Sequence, residues 1–311
     1  MILIRTPVRI SLVGGGSDLD EYIKQHGMGS VISFTPDIYT YVIVQADRIG
    51  KNSLDNKYVI SYSRREEVED INKIDNELIK EFLVDYSMPP VGVILTSDIF
   101  SQGSGLAVSS SYSAGLSLAF SEMLGNTLSQ IDVGENAHRI EKKINYKLGQ
   151  QDVFGCCIGG FKRIDFQLNG LPRYTFLPCD LFNHYSAYLI YTGITRNSTE
   201  ILSTYTIPSN NRLVELVNIA ETCIIESRYD DFFSILKDGW AEKKVFSPRI
   251  LEDELLKSMD DELTMNPKCR AHKLCGAGGG GFFLAFFDKE YIPKPNFKKI
   301  NLSTLGVEKV V

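Results

Sequence analysis

The chain has 311 residues, of which 43% are hydrophobic and 23% are charged. It is therefore long enough to bury a full core, and it exceeds the usual size of a single domain. The formal charge of -6 and the pI near 5.4 argue against a nucleic-acid surface, because no Lys/Arg stripe concentrates positive potential against a phosphate backbone. We expect two domains that share a cleft.

Two further classes of protein are disfavoured. The first residues are apolar, but Arg5 and Arg9 interrupt the run and no small-residue cleavage site follows, which is not typical of a signal peptide. No run approaches the ~20 apolar residues of a membrane span. The six cysteines include no C-x-x-C pair and no histidine at zinc-ligand spacing. We expect a cytoplasmic protein with reduced thiols and no membrane or nucleic-acid partner.

The first half of the chain is typical of β-strands followed by helices. Runs of β-branched and aromatic residues predict strands over Ile2–Val13, Val31–Pro36, Thr40–Ala46, Tyr58–Ser63 and Val91–Thr96. We expect these strands to form one mixed sheet. Helical spacing of apolar residues then predicts two amphipathic helices, one over residues 112–123 and one over residues 133–144.

The second half mixes helices with a few strands. A strand over Phe161–Phe166 leads into a stretch marked by Gly and Pro, Asn169–Pro178, where we place the domain boundary and divide the chain into residues 1–168 and 169–311. A strand over Ala187–Tyr191 precedes helical patterns at Thr199–Tyr205, Asn211–Ser227, Phe232–Lys244 and Ile250–Leu263. The last strands flank the glycine run Gly276–Gly281. The fold class is α+β, with helices layered on a sheet.

Three loops rich in glycine or serine carry the chemistry. In Gly103–Gly115, glycines precede a serine run that opens a helix, so backbone N–H groups and the positive end of the helix can face a phosphate. The alternative for these serines is a plain helix cap. The loop lacks the Walker lysine, and Leu19 stands where the dinucleotide fingerprint after Gly14 needs its third glycine. The last loop, Lys273–Phe282, holds five glycines in six positions, more than a tight turn requires.

Together the three loops resemble the ordered motifs of the GHMP kinases, the superfamily of galactokinase, homoserine kinase, mevalonate kinase and phosphomevalonate kinase. Pro7–Asp18 resembles the first motif, Gly103–Ala114 the second and Lys273–Phe282 the third, and the resemblance covers nearly the whole chain. The start RTPVRISLVGGGSDL, the segment Tyr191–Arg196, the QDVFG…GGF segment and the GAGGGGF loop most resemble D-glycero-D-manno-heptose 7-phosphate kinases.

The resemblance implies a ribosomal-S5-like N-terminal domain and a ferredoxin-like C-terminal domain, with ATP and Mg²⁺ as cofactors. The implied acceptor is a seven-carbon sugar phosphate, phosphorylated at its anomeric hydroxyl. The residues implied to bind ATP are Gly103, Ser104, Gly105, Leu106, Ser109, Ser110 and Ser111, together with the third-motif loop of Gly276, Ala277, Gly278, Gly279 and Gly280. The family commonly has Gly-Leu-Gly-Ser-Ser in the second motif, whereas Ala107 and Val108 replace the second glycine and the first serine here. That alignment leaves Ser109 as the magnesium ligand.

The resemblance also implies catalytic roles. Glu141 and Asp152, eleven residues apart, match the magnesium glutamate and the catalytic aspartate of mevalonate-kinase-like members. Arg9 matches the arginine that stabilises the alkoxide and the transferring phosphate in galactokinase-like members. The alternatives are a surface pair of Glu141 with Lys142 or Lys143, a loop carboxylate at Asp152, and a structural ion pair at Arg9.

The first glycine loop would bind the sugar through Gly15, Gly16, Ser17 and Asp18. Asp18 would accept hydrogen bonds from sugar hydroxyls, and a helix N-cap is its alternative. Arg196 and Lys244, cations of the second domain, would hold the phosphate that the substrate already carries.

Two other functions and the oligomeric state stay open at this point. One alternative is a GHMP kinase with another acceptor, such as a hexose, fucose or an isoprenoid alcohol. The other is a nucleotide- or sugar-phosphate-binding regulator with weakened turnover, which the Ala107-Val108 pair suggests. The chain would act as a monomer or a homodimer.

Overall fold

The structure is a computed structural model that describes residues 1–46, 56–99, 103–195 and 198–311. The strands are β1 (Ile2–Pro7), β2 (Ile10–Val13), β3 (Gly29–Pro36), β4 (Tyr39–Gln45), β5 (Tyr58–Ser61), β6 (Arg65–Val68), β7 (Gly92–Ser97), β8 (Phe161–Phe166), β9 (Arg173–Phe176), β10 (Tyr185–Tyr191), β11 (Cys269–Leu274), β12 (Phe282–Asp288), β13 (Phe297–Ile300), β14 (Leu302–Ser303) and β15 (Glu308–Lys309). The helices are α1 (Asp20–His26), α2 (Glu77–Asp85), α3 (Val108–Met123), α4 (Gln130–Ile144), α5 (Gln150–Cys157), α6 (Leu181–His184), α7 (Ser198–Leu202), α8 (Arg212–Ile225), α9 (Tyr229–Phe246) and α10 (Glu254–Met265). None of the helices within these ranges is long and apolar enough to cross a membrane.

The strands of the described residues form three sheets. A six-stranded sheet has the order β15-β1-β4-β7-β5-β6, and a four-stranded antiparallel sheet has the order β11-β12-β10-β13. The third sheet has the order β14-β3-β8-β9, with β2 also paired to β3. The expectation of one mixed sheet is therefore wrong, because the first predicted strands divide between two sheets.

The break between β1 and β2 is the reason for that division. The predicted strand Ile2–Val13 is interrupted at Val8 and Arg9, whose backbone N–H groups donate to Ile38 O (3.0 Å) and Leu106 O (3.2 Å) instead of to a neighbouring strand. Arg9 is buried, and a buried guanidinium must find polar partners. It finds them at the junction of the two sheets, with Asp152 and the carbonyl of Gly105.

Helices cover the sheets and complete the core. Helix α3 packs on β1 and β4 of the six-stranded sheet and on α4 and α5. It approaches closely at Gly115, where a Cβ would lie 2.6 Å from the side chain of Val42. Helices α8 and α9 pack against β2 and also against β3 and β11, respectively. These helices therefore join the five-stranded sheet to the four-stranded sheet.

The strand pairing does not follow the boundary drawn at residue 168. That point lies inside the β8–β9 hairpin, and the C-terminal strands β14 and β15 return to pair with β3 and β1. We propose that the second unit consists of the four-stranded sheet from β10 to β13 with helices α7 to α10. The first unit then takes the rest of the chain, including its C-terminal end.

A buried polar network joins α9, α10 and β11 in the second unit. Asp260 Oδ1 accepts from Trp240 Nε1 (2.7 Å) and lies 2.8 Å from His272 Nε2, while Oδ2 accepts from Lys244 Nζ (3.0 Å). Burial acts to raise the pKa of Asp260, but the hydrogen bonds from His272, Trp240 and Lys244 outweigh it and hold this pKa at about 2. The carboxylate therefore stabilises the folded state in its ionised form.

We predict that Asp260→Asn lowers the free energy of unfolding by about 3 kcal/mol, because it leaves buried partners without their charge. Since the native pKa lies below the unfolded one, the wild-type advantage is complete above about pH 4 and is lost as the pH falls towards 2. Denaturant unfolding at several pH values measures both. The exposed neighbour Asp261 is the control, since Asp261→Asn should change stability by less than about 0.5 kcal/mol. Equal effects of the two variants would contradict the role of the network.

Candidate active site

One cleft with about 240 Å³ of space opens where the glycine loops of the two units meet. Most of the residues predicted for the site line it: Arg9, Gly15, Gly16, Asp18, Gly103, Ser104, Gly105, Ser109, Ser110, Glu141, Asp152, Gly276 and Ala277. The carboxylate of Asp152 therefore shares a hollow with both glycine loops. Arg196 lies outside the described residues.

Arg9 and Asp152 form a partly buried ion pair in the wall of the cleft. Arg9 Nη2 and Nε lie 2.5 and 3.2 Å from Asp152 Oδ1, and Nη1 donates to Gly105 O (3.0 Å). The side chain of Arg9 is 3% exposed and that of Asp152 is 28% exposed. Burial acts to lower the pKa of Arg9, but the charge of Asp152 outweighs it and leaves this pKa above its ordinary value. The guanidinium thus stays charged and ties Asp152 to the second-motif loop.

Helix α5 positions Asp152, which the sequence pattern placed in a loop. Asp152 lies in the first turn, where the positive end of the helix favours a carboxylate. The helix begins here because Asp18 caps it from a distance: Gln150 N–H donates to the backbone carbonyl of Asp18 (3.3 Å), and Gln151 N–H donates to its Oδ2 (3.1 Å). One turn on, a Cβ at Gly155 would lie 3.1 Å from Arg9 Cγ, so a glycine lets the helix pack on the arginine stem.

Asp18 lines the cleft but is largely enclosed by protein. It is 1% exposed. Its Oδ1 accepts from Gly16 N–H (3.0 Å) and from Gln151 Nε2 (2.7 Å). Burial and the nearby charge of Asp152 raise the pKa of Asp18 to about 6. Asp18 therefore does cap a helix, but the helix is α5; the N-cap of the adjoining α1 is Leu19.

Glu141 and Ser109 form a polar pair on the opposite wall. Ser109 Oγ donates to Glu141 Oε1 (2.8 Å), while Oε2 is buried without a hydrogen-bond partner among the described residues. Burial raises the pKa of Glu141 to about 7, against the effect of the hydrogen bond from Ser109. The surface pair suggested as an alternative does not form, because Lys142 pairs with Asp20 and Lys143 with Asp85.

The second and third glycine loops pack directly against each other. A Cβ at Gly105 would lie 2.6 Å from Cys275 O, and one at Gly281 would lie 2.4 Å from Ser104 O. Both glycines have positive φ, +78° and +89°. Much of the glycine content therefore serves a close approach of two backbones. Within the third motif, Gly276 and Ala277 line the cleft, whereas Gly278, Gly279 and Gly280 lie against Ile250, Ile201 and Ile194.

Three other residues predicted for the site point away from the cleft. Ser17 Oγ donates to Ser30 O (2.8 Å) and accepts from Ser30 N–H (3.0 Å), and Ser111 Oγ donates to Val108 O (2.8 Å). Short hydroxyl side chains readily satisfy nearby backbone groups in this way. Leu106 is a fully buried core residue. None of these three residues lines the cleft, and their ligand contacts stay predictions.

The cation that α9 contributes to the cleft is Lys243 and not Lys244. Lys244 follows Trp240 by four residues, so it lies on the same face of the helix and shares Asp260 with it. Lys243 lines the cleft, is buried, and donates to the carbonyl of Gly276.

Sequence reasoning missed several polar residues that line the cleft, namely Ser11, Asn145, Gln151, Tyr205, Lys243 and Lys273. Tyr205 Oη donates to Ala277 O (2.5 Å), and Lys273 Nζ donates to Leu12 O (2.8 Å). Burial lowers the pKa of Lys273 to about 8. Ser11, Gln151 and Lys273 lie inside the segments that carry the resemblance, whereas nothing in the sequence marks Tyr205.

Ala107 occupies the family's second glycine position in the backbone conformation that glycine favours. Its φ is +61°, in the left-handed region, at the N-cap of α3. An alanine adopts this conformation at a cost of roughly 1–2 kcal/mol. The loop therefore keeps the backbone path that a glycine would allow, and the substitution does not by itself close the cleft.

Comparisons with known proteins identify chains that are similar in sequence and in fold. Residues 72–160 match the family model of the GHMP kinases N terminal domain. A D-glycero-alpha-D-manno-heptose 7-phosphate kinase of Campylobacter jejuni is 26% identical across 92% of this chain and 89% of that protein. A solved D-glycero-D-manno-heptose 1-phosphate kinase from Bacteroides thetaiotaomicron superposes with a TM-score of 0.71 at 19% identity, over 99% of this chain and 98% of the other. Lactococcus lactis galactokinase in complex with galactose superposes with a TM-score of 0.76 at 15% identity, over 99% and 95%. The expected two-domain α+β fold is confirmed.

We predict that Gly281→Ala lowers the free energy of unfolding by about 3 kcal/mol. The new Cβ would clash with the Ser104 carbonyl, and an alanine would be strained at the positive φ of this position. The control is Gly193, which also has positive φ (+77°) but has no described atom within 4 Å of a built Cβ. Gly193→Ala should cost only about 1 kcal/mol. Denaturant unfolding of both variants measures the difference, and equal losses would show that the loop contact is not tight.

Proposed function

We propose that this chain, which belongs to the GHMP kinase superfamily, phosphorylates the anomeric hydroxyl of D-glycero-D-manno-heptose 7-phosphate. The donor is ATP, and the product would be the 1,7-bisphosphate for nucleotide-activated heptose synthesis. The observation that carries the proposal is the single cleft where Asp152, Arg9 and both glycine loops meet. The name of the Campylobacter jejuni relative supports this acceptor. The need of the proposed reaction for ATP also supports a cytoplasmic location of this protein.

In this reaction Asp152 is the base. The acceptor oxygen bonds to the γ-phosphorus, its proton passes to the Asp152 carboxylate, and the bond to the β,γ-bridging oxygen breaks to release ADP. Arg9 holds Asp152 Oδ1 at 2.5 Å, so the carboxylate has a fixed direction. The same guanidinium places positive charge beside the oxygen that develops negative charge.

The second-motif loop and the start of α3 would hold the phosphates of ATP. Gly103, Ser104 and Gly105 line the cleft directly before the N-terminus of α3, whose free N–H groups and dipole favour an anion. Ser109 and Ser110 add hydroxyl groups on the same side.

Ser109 and Glu141 fit a magnesium ion. One oxygen of Glu141 accepts from Ser109, and the other has no partner in the described part of the chain. Mg²⁺ is commonly bound by one or two carboxylates, with water and substrate phosphates completing its shell. The described residues contain no cluster of three or more His, Cys, Asp or Glu side chains, so phosphates and water would supply the remaining ligands. When bound, the ion would neutralise charge on the phosphates.

The phosphate that the sugar already carries would be held from the second unit. Lys243 supports this role, because its side chain is buried at the cleft wall beside Gly276. Arg196 remains a proposal from the sequence. The regulator alternative is disfavoured, because a binding protein needs neither a base at Asp152 nor a metal carboxylate at Glu141.

We predict that Asp152→Asn lowers kcat by roughly 10²–10⁴, the usual contribution of a positioned base. ADP release with Mg-ATP and heptose 7-phosphate measures the rate, and phosphorus NMR identifies a new anomeric phosphate. Asp180→Asn, at an exposed aspartate away from the cleft, is the control and should act like the wild type. A kcat that is unchanged in Asp152→Asn would exclude Asp152 as the catalytic base. If the wild-type protein phosphorylates only another sugar, or only heptose 1-phosphate, heptose 7-phosphate is excluded as the acceptor.

We predict that Lys243→Met raises the KM for heptose 7-phosphate roughly 10- to 100-fold, since a hydrogen bond to a charged group contributes about 1.5–3 kcal/mol. The KM for the unphosphorylated sugar should change much less. Lys244→Met is the matched control: it should leave both KM values unchanged while lowering the melting temperature, because Lys244 binds Asp260. Equal rises in KM for both sugars would contradict a phosphate contact at Lys243.

A further inference from the structure

Three buried polar atoms without a hydrogen-bond partner in the described ranges belong to residues that line the cleft. They are Ser11 Oγ, Glu141 Oε2 and Gln151 Oε1. Buried polar groups are nearly always paired in folded proteins, so each exception requires an explanation. A magnesium ion would explain Glu141, but Ser11 and Gln151 are not among the residues proposed above to hold ATP or magnesium.

Ser11 and Gln151 converge on one small space beside Gly15. A Cβ built on Gly15 would lie 3.0 Å from Ser11 Oγ, 3.5 Å from Gln151 Nε2 and 3.8 Å from Gln151 Oε1. Gly15 is not among the glycines with positive φ, so its backbone does not require glycine. The absence of a side chain at Gly15 keeps the point between Ser11 Oγ and the Gln151 amide clear of a Cβ.

Asp18 fixes the direction of the Gln151 amide. Gln151 Nε2 donates to Asp18 Oδ1 (2.7 Å), which leaves Oε1 as the free acceptor of the amide. The other carboxylate oxygen, Oδ2, accepts from Gln151 N–H, and it is covered by Gly149, where a Cβ would lie only 2.1 Å away. The accepting capacity of Asp18 is thus largely used within the protein, and Oε1 of the cleft-lining Gln151 is the acceptor without a partner among the described residues.

We propose that Ser11 and Gln151 form a subsite that recognises one hydroxyl group of the sugar other than the group that is phosphorylated. Asp18 acts as a positioning residue through Gln151. The Gln151 carbonyl accepts from the sugar hydroxyl, and the Ser11 hydroxyl donates to the oxygen of that same group, so both donor and acceptor of the sugar are satisfied. The inference rests on the proposed function, because it assumes that a sugar occupies this part of the cleft.

The subsite would also position the sugar hydroxyl that is phosphorylated relative to the Asp152 carboxylate. Gln151 and Asp152 are adjacent in the first turn of α5, so a sugar held by Gln151 is placed relative to the Asp152 carboxylate by the same rigid turn. A sugar that lacks the recognised hydroxyl leaves the buried Gln151 carbonyl unpaired. Sites built in this way reject the deoxy analogue strongly.

The test measures kcat/KM for each combination of sugar analogue and protein variant. The wild type, Gln151→Met and the control Gln150→Met are assayed with heptose 7-phosphate and its 2-, 3-, 4- and 6-deoxy analogues. Gln150 is a fair control, because it is buried in the same helix turn but its Nε2 donates to Gln167 O, outside the cleft. One analogue should lose roughly 100-fold in kcat/KM with the wild type and with Gln150→Met. With Gln151→Met the loss should fall to within about threefold, because the acceptor is gone.

Two further variants separate recognition from structural damage. Gly15→Ala fills the space between Ser11 and Gln151, so it should raise the KM for the sugar more than about tenfold and leave the KM for ATP unchanged. Asp18→Leu should abolish the discrimination against the same deoxy analogue although Gln151 is still present, because Gln151 Nε2 loses the oxygen that it donates to.

Three results would overturn the proposal. The first is an undiminished penalty for the deoxy analogue in Gln151→Met, the second is a wild type that tolerates every deoxy analogue, and the third is an unchanged sugar KM in Gly15→Ala. A wild type that phosphorylates no heptose phosphate would instead refute the proposed acceptor. The same variants are then assayed with deoxy forms of whichever sugar the protein does phosphorylate, so the subsite is tested in either case.

Discussion

The ion pair between the buried Arg9 and the partly exposed Asp152 is the contact on which the rest of the site depends. It joins the break between β1 and β2, the carbonyl of Gly105 and the first turn of α5. A buried charge without its partner costs several kcal/mol, so the fold keeps these three elements together whether or not a ligand is bound. The base and the cation that the proposed reaction needs are therefore already aligned by the requirement to satisfy a buried guanidinium.

The cleft around this pair is formed largely by backbone. Glycines at 105 and 281 let two loops from different units approach within the space that a single Cβ would fill. Such a contact leaves N–H groups and the N-terminal end of α3 available to an anion. It also connects the loop that we propose to hold ATP to the second unit. Ser11, Glu141 and Gln151 of this wall each keep one side-chain oxygen without a hydrogen-bond partner in the described part of the chain.

The sequence patterns predicted the residues of the site better than their contacts. Arg9, Asp18, Glu141 and Asp152 all line the cleft. The patterns failed where two neighbours compete for one position. Lys243 and Lys244 are equivalent by charge, and only the burial of Asp260 against Trp240 decides which of them faces away from the cleft.

By itself the sequence determined the α+β class, the glycine-rich loops and the charged groups available to the cleft, because strand and helix periodicity and glycine content are local properties. Only the tertiary structure decided which oxygen atoms are already paired. Ser17 is satisfied by Ser30, Asp18 caps a helix 132 residues further along the chain, and Arg9 meets Asp152 across 143 positions. Hydrogen bonds are directional and saturable, so the atoms left free for a ligand depend on partners that lie far apart in the chain.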